Sequence, residues 1–528
     1  MNEFLEEISR PGVMDARTEN GAIAHSTTGS TLADQFSKSG SHRDRSVSIV
    51  FAEQAQLDQK YGKWALRFVF YLRLITRIIK FFDGSKSTVT QRGQGNRDES
   101  YKRYLWYAQN KPDLFYRNFT TFVECGSIKD VFEIMWYAKR FKIEVDEKRL
   151  LAEIIVAGGE EMDENDLLLK YLPLQKAASK AVTERAKYRN HLARMIQDIS
   201  NMNAKELRTL KAAGKAHTWQ QLISKRLFDM INFHLISGKA LTKLVSSKFL
   251  TKHGLVEKYE KWIAGQSIAK FTGYIYELRT KVTSYLKSHE KMTYDKQFLG
   301  LLQTGKQSTL GSRKVICAID RSGSMDASVA GTTAMKIAES LGVYFANLLE
   351  GPFQKWVIRF SNRSEWVELK GGFCDQINQM QWGDCPSNTD FQSIIDSFVN
   401  IRKDKPEISE EHYPNTLLVI SDMQFDKSYG WGAADQDIKT EYQRACDKLR
   451  NAFSNEFANS FVFIWWQVNG RITNQPARIE EPGGYFVSGF DGAIIDSLLG
   501  SIERKESVEQ SIETVLSQEV LERIEYSE

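Results

Sequence analysis

Five oxygen-bearing side chains stand in a spacing that can bind a metal ion. Asp320, Ser322 and Ser324 alternate in a turn that follows an apolar run, Thr389 comes 65 residues after that turn, and Asp422 follows a second apolar run. Mg²⁺ prefers about six oxygen ligands in an octahedron, only a few of them charged. Two carboxylates and three hydroxyls therefore suit Mg²⁺ or another hard divalent cation such as Mn²⁺. The alternative is a polar turn that binds no metal.

Alternating strands and helices would position these five residues. We predict strands over 315–320, 356–360, 416–421 and 460–466, with helices over about 333–350, 390–402 and 437–454 between them. Such alternation predicts a doubly wound α/β sheet. Ligands of such sheets bind at the carboxyl ends of the strands, where Asp320 and Asp422 both fall. Asp390 can hold a metal-bound water or cap the following helix, and we expect the cap.

This arrangement resembles the von Willebrand factor A domain and its metal-ion-dependent adhesion site. The resemblance implies that the five residues coordinate the cation and that one position stays open for water or a partner's carboxylate. The family often has glycines just before the threonine, whereas this chain has Pro386-Ser387-Asn388.

The first part of the chain differs from the second part in its helical pattern and its positive charge. The pattern over 51–302 is helical almost throughout and predicts stacked helical pairs, an all-α, HEAT-like solenoid. Residues 1–310 carry an excess of 16 positive charges, and residues 311–528 an excess of 12 negative charges. A basic surface of this kind is typical of proteins that bind phosphate groups.

Eight basic residues are candidates for RNA binding. Arg92 and Arg97 flank a glycine-rich turn, four more lie within about 120° on one helix face, and two follow Trp219. The last six are Lys205, Arg208, Lys211, Lys215, Lys225 and Arg226. The alternative for both sets is a solvated surface.

Several short sequence segments resemble the TROVE module of Ro autoantigens and a related family of proteins. They are Thr18-Glu19-Asn20-Gly21-Ala22, Gly93-Gln94-Gly95-Asn96-Arg97, Glu124-Cys125-Gly126-Ser127-Ile128-Lys129-Asp130 and Lys187-Tyr188-Arg189. The resemblance implies a helical ring closed by an A domain, which binds small noncoding or misfolded RNA as a ribonucleoprotein.

The expected domains are a polar segment over 1–50 with loops or partial disorder, the basic helical domain over 51–302, a linker over 303–314, the A domain over 315–500 and a C-terminal helix over 501–528. Within the last, residues 507–526 are expected to form one amphipathic helix. Residues 64–82 carry four charges and predict an amphipathic helix rather than a membrane span.

The cellular setting is expected to be the cytoplasm. Five scattered cysteines show no C-x-x-C spacing, which indicates a reducing compartment. The first residues show no basic and apolar pattern of a signal peptide.

We expect a non-enzymatic RNA-binding protein with a Mg²⁺-dependent interaction site and no indicated DNA specificity. One alternative is a metal-dependent protein scaffold without RNA, whose partner offers an acidic residue to the metal. A remote alternative is a Mg²⁺-dependent hydrolase, but the chain has no phosphate-binding G-x-x-x-x-G-K-[ST] loop and no histidine in the metal loops.

Overall fold

The computed structural model describes residues 16–157, 183–200, 205, 222–223, 225–271, 273–305, 313–381, 388–426, 439–470 and 474–526. Their contacts divide the chain into two compact units. The sheet unit comprises Met1–Arg43 and Ser237–Thr514, and the helical unit comprises Asp44–Ile236 and Val515–Glu528.

Six strands form the central sheet of the sheet unit, and two short two-stranded ribbons accompany it. In chain order the strands are Ala16–Arg17 (β1), Ile23–Ala24 (β2), Val315–Asp320 (β3), Ser328–Val329 (β4), Thr332–Thr333 (β5), Trp356–Phe360 (β6), Ser364–Glu368 (β7), Thr416–Ser421 (β8), Val462–Gln467 (β9) and Gly484–Ser488 (β10).

The sheet unit also contains α-helices. They are Thr31–Ser39, Gly238–Val245, Phe249–Lys252, Val256–Ala264, Ile275–Arg279, Ser288–Gly305, Ala334–Leu348, Phe373–Gln381, Gln392–Asp404, Glu441–Ala452, Asn455–Ser460, Ile495–Glu503 and Val508–Val515.

The order of strands in the central sheet is β10-β9-β8-β3-β6-β7. All neighbours are parallel except β6 and β7, which form an antiparallel pair at one edge. The chain moves from β3 to β6 on one side and later to β8 on the other, so the strand order reverses at β3. Crevices for ligands form at such a reversal.

Helices cover both faces of the sheet. Consecutive residues of a strand point to opposite faces. Trp466 contacts Phe345 on helix Ala334–Leu348, with ring centroids 5.1 Å apart. Trp465, the preceding residue, contacts Tyr442 on helix Glu441–Ala452. These two helices therefore lie on opposite faces, and the prediction of a doubly wound α/β sheet is confirmed.

Helix Ala334–Leu348 lies directly on β3. Val315–Ile319 are almost completely buried, as expected for a parallel strand covered on both faces. Gly342 faces Ile319, and a Cβ at Gly342 would lie 2.1 Å from its Cδ1 atom. Glycine is required here because of the close approach of helix and strand.

The sheet unit also includes segments that composition placed in the helical domain. Helix Ile275–Arg279 packs on helix Ala334–Leu348. Phe298 of helix Ser288–Gly305 stacks on Phe373 at 4.5 Å. The expectation of loops over 1–50 is wrong for much of its described part, because Thr31–Ser39 is a helix that packs on β10.

The helical unit contains no strand among its described residues. Its helices are Val47–Tyr61, Lys63–Arg73, Arg97–Asn110, Pro112–Arg117, Phe119–Cys125, Lys129–Phe141, Glu147–Ala157, Glu184–Ser200 and Glu519–Glu522. An aromatic cluster forms its core, in which Tyr104 stacks on Phe122 at 4.2 Å and Phe70 contacts both rings edge-on. The helical character is confirmed, whereas the HEAT-like repeat stays a prediction.

Two predicted helices are shorter in the structure. The helix expected over 64–82 ends at Arg73, because the next residues pair elsewhere: the Ile75 amide donates to the Cys125 carbonyl oxygen. The helix expected over 507–526 is divided into two. Between the two parts, the Gln518 side chain bonds the backbone of Arg92. None of the helices in the described ranges is long and apolar enough to cross a bilayer.

Candidate metal centre

The carboxyl ends of three adjacent strands bring the candidate metal ligands together. Asp320 is the last residue of β3, and Asp422 directly follows β8. Thr389 lies between the ends of β6 and β8. Its amide donates to Asp426 Oδ2 at 2.6 Å, and the next amide, of Asp390, donates to the Ser361 carbonyl oxygen at 2.7 Å.

The turn after β3 orients the first three donors. The Ser322 amide donates to Asp320 Oδ1 at 2.8 Å, and the Ser322 and Ser324 hydroxyl oxygens are 3.1 Å apart. The Ser421 hydroxyl donates to Asp320 Oδ2 at 2.6 Å and accepts from the Met423 amide at 2.8 Å. Both Asp320 oxygens are thereby fixed, and β3 is connected to β8.

Burial makes the charged forms of Asp320 and Asp422 unfavourable. Asp320, Ser322, Thr389 and Asp422 are each 0% exposed. Burial raises the pKa of Asp320. Burial and then the nearby Asp320 carboxylate raise the pKa of Asp422 to about 7, although Ser324 hydrogen-bonds Asp422 and opposes the rise. A bound divalent cation would offset this repulsion.

Two buried oxygen atoms at the site have no hydrogen-bond partner among the described residues. They are Thr389 Oγ1 and Asp422 Oδ2. Buried polar atoms are usually paired, so unpaired ones indicate a missing ion or water. The described residues contain no group of three or more His, Cys, Asp or Glu that could hold a metal. The mixed set of two carboxylates and three hydroxyls fits a hard cation such as Mg²⁺ instead.

A buried ion-pair network holds the turn after β3 in place. Arg321 pairs with Glu339 and donates to the Met380 carbonyl oxygen. Arg279 Nε donates to the other Glu339 oxygen at 2.7 Å. Glu339 on helix Ala334–Leu348 thus connects the turn after β3 to helix Ile275–Arg279, although no local sequence pattern marks this residue.

Asp390 caps the helix that follows it. Its Oδ1 atom accepts from the Ser393 amide at 3.2 Å, as expected from the sequence.

A second neighbour of the site comes from far away in the chain. Residues 18–22, called the strap below, pack on the loop that follows Asp422. The Thr18 hydroxyl donates to the Phe425 carbonyl oxygen at 2.6 Å, and the Glu19 amide donates to Gln424 Oε1 at 2.6 Å. The sequence marks these residues only through their resemblance to a related family, because no local pattern connects segments about 400 residues apart.

The candidate RNA-binding residues that the structure describes lie in the helical unit. Arg92 is partly buried, with its backbone bonded to Gln518. Arg97, Lys205, Lys225 and Arg226 are exposed. The other three candidates, Arg208, Lys211 and Lys215, lie outside the described residues.

The glycine-rich turn beside Arg92 is a packing element. Gly93 lies against the end of helix Lys63–Arg73, and a Cβ there would lie 2.4 Å from Leu74 Cβ. Asn96 caps helix Arg97–Asn110 by accepting from the Glu99 amide. RNA binding by Arg92 and Arg97 stays a prediction.

A comparison with known families gives a match in the second half of the chain. Residues 314–526 match the model of a family described as "Domain of unknown function (DUF7788)". This span contains all five candidate metal ligands and less than half of the chain.

Comparison with solved structures finds the crystal structure of the Deinococcus radiodurans RO (RSR) protein. The two chains share 12% sequence identity, with a TM-score of 0.46 over 90% of this chain and 100% of that chain. No curated protein matches this chain.

Proposed function

We propose that this chain is a non-enzymatic binding protein whose sheet unit holds Mg²⁺ and binds an acidic group of a partner protein through it. The observation that carries this proposal is a pair of buried atoms, Thr389 Oγ1 and Asp422 Oδ2, that have no partner among the described residues and lie beside three further oxygen donors. Mg²⁺ would supply positive charge there and one open coordination position.

The residues of the site have binding roles rather than catalytic ones. Asp320 and Asp422 offset the cation's charge, and Ser322, Ser324 and Thr389 add neutral oxygens. Two further carboxylates of these loops are engaged elsewhere: Asp390 caps a helix, and Asp426 accepts from the Thr389 amide. Neither is poised as the general base that metal-assisted hydrolysis uses.

Isothermal titration calorimetry with Mg²⁺ tests the proposal. The unsubstituted chain should bind Mg²⁺, and Asp320→Asn should lose measurable binding. Thr389→Val should weaken it because an uncharged ligand is removed, while Thr389→Ser should retain it. The matched control is Asp404→Asn, an exposed carboxylate at the far end of a helix. Equal Mg²⁺ affinity in Asp320→Asn and Asp404→Asn would refute the metal site.

We further propose that the basic part of the chain binds structured RNA. The supporting observation is charge: residues 201–310 contain 19 Lys and Arg against 7 Asp and Glu. Lys205 and Lys225 are exposed in the helical unit. Contacts of lysine with phosphates should make the affinity fall steeply with salt concentration.

Purification with and without nuclease, followed by RNA sequencing, tests RNA binding. Lys205→Gln with Lys225→Gln should weaken binding and reduce the slope of log affinity against log salt by about 1 per lost phosphate contact. The control is Lys403→Gln with Lys405→Gln, two exposed lysines of the sheet unit. Partners that persist after nuclease, with no RNA above background, would instead indicate the protein scaffold.

A further inference from the structure

The strap fixes its backbone against the loop that follows Asp422 and leaves one carboxylate, that of Glu19, without a partner among the described residues. Thr18 and Ala22 close the strap on itself: the Thr18 amide donates to the Ala22 carbonyl oxygen at 2.9 Å, and the Ala22 amide donates to Thr18 Oγ1 at 3.0 Å. Gly21 has a φ of 87°, a left-handed conformation that glycine adopts readily. These three residues shape the turn.

The strap is bonded to both loops that supply the later metal ligands. The Asn20 amide group donates to the Gln424 carbonyl oxygen at 2.7 Å, two residues beyond Asp422. Asn20 also hydrogen-bonds the Asp426 carboxylate, which accepts from the Thr389 amide. The strap is therefore fixed relative to Thr389 and Asp422.

Glu19 differs from its neighbours. Its amide donates to Gln424 Oε1, so its backbone is fixed beside the site. Its side chain is exposed, and its carboxylate has no hydrogen bond or ion pair with the described residues. Gln424, which accepts from the Glu19 amide, donates its own amide to Asp422 Oδ1 at 3.3 Å, so one residue connects Glu19 to a candidate ligand.

We propose that Glu19 is an intramolecular ligand of the cation and occupies the coordination position that the five donors leave open. This inference rests on the proposed Mg²⁺ site. A partner's carboxylate then has to displace Glu19, so the strap lowers the affinity for acidic partners while it raises the affinity for the metal.

Glu19→Gln tests the role of this carboxylate and leaves the backbone bond to Gln424 in place. Because the variant has one charged ligand fewer, its affinity for Mg²⁺ should be about tenfold lower. The matched control is Glu350→Gln, an exposed glutamate beyond the end of helix Ala334–Leu348, about 22 Å by helical rise from the end near the site. Glu350→Gln should bind Mg²⁺ as the unsubstituted chain does.

Water relaxation with Mn²⁺ in place of Mg²⁺ gives a readout of ligand number. Glu19→Gln should show one more metal-bound water than the unsubstituted chain, and acetate should displace that water at lower concentration. The thermal midpoint without metal should stay the same, which shows that the strap is intact.

The outcomes separate this inference from the proposed site. No metal binding by the unsubstituted chain would refute both. Metal binding that is lost in Asp320→Asn, but equal in Glu19→Gln and Glu350→Gln, would refute the role of Glu19 alone.

Discussion

Individual residues at the metal centre show a conflict between burial and charge. Asp320 and Asp422 are buried together at the ends of neighbouring strands, and the pKa of each is raised. A folded protein normally avoids such a pair unless something offsets the charges. Without a cation, this pair of carboxylates should therefore lower the stability of the folded state.

Without metal, the stability of the sheet unit should depend on pH through Asp422. Its pKa is above the usual value of 3.8 in the folded state. The folded state therefore holds a proton that the unfolded state has released. The contribution of Asp422 to stability should be largest below about pH 4 and should be lost as the pH rises through about 7.

Asp422→Asn should remove this contribution and raise the thermal midpoint at pH 7 in the presence of a chelator. Saturating Mg²⁺ should raise the midpoint of the unsubstituted chain but not that of the variant, because only a bound ligand stabilises the folded state. Calorimetry at two pH values measures both effects. A variant that responds to Mg²⁺ normally would contradict this argument.

At the scale of elements, the sequence allows good prediction of the strands that carry the site. Val315–Asp320, Trp356–Phe360 and Thr416–Ser421 begin and end where they were expected, because buried parallel strands are short continuous apolar runs. Because these strands are parallel, Asp320 and Asp422 lie at the same edge of the sheet, where the carboxyl ends of the strands meet. Their role as ligands stays a prediction.

Other elements were missed for identifiable physical reasons. Strand β7 has the sequence Ser-Glu-Trp-Val-Glu and lies at a sheet edge, where charged residues are common. The buried Glu339 was not noticed because its partners, Arg279 and Arg321, come from different elements. Local patterns do not reveal such long-range pairs.

The helix Ala334–Leu348 depends on Glu339 for its connection to the metal-ligand turn. Glu339→Gln should lower the free energy of unfolding by about 3 kcal/mol, because two buried arginines lose their counter-charge. It should also weaken Mg²⁺ binding, because Arg321 lies between two ligands. Denaturant unfolding measures the first effect. The control Glu368→Gln changes an exposed glutamate and should have little effect on stability. Equal stabilities of Glu339→Gln and Glu368→Gln would contradict the role of Glu339.

At the scale of the whole molecule, each unit is completed by residues distant in the chain. The sheet unit includes the strap, and the helical unit includes residues 515–526. In the helical unit, Arg523 lies 3.7 Å from the centroid of the Phe81 ring, and the Asn118 side chain makes two hydrogen bonds to the backbone of Glu525. Val520 and Leu521 are fully buried.

Leu521→Ala should therefore destabilise the helical unit by about 3 kcal/mol, as expected for a buried leucine. The control Glu522→Ala changes the exposed neighbour on the same short helix. Limited proteolysis should cut 44–157 faster in Leu521→Ala, while 315–421 stays as resistant as before. Equal digestion of both variants would show that this helix contributes little to the stability of the helical unit.

The strap sets a limit on when the metal centre can be finished during synthesis. Thr18 and its partner Phe425 are 407 residues apart. At about 5–20 residues per second, a ribosome needs roughly 20–80 s to make the intervening chain. During that time the strap has no loop after Asp422 with which to pair. A chain that stops before residue 424 lacks the loop on which the strap packs, so the candidate metal centre and its strap come together only after translation has passed that point.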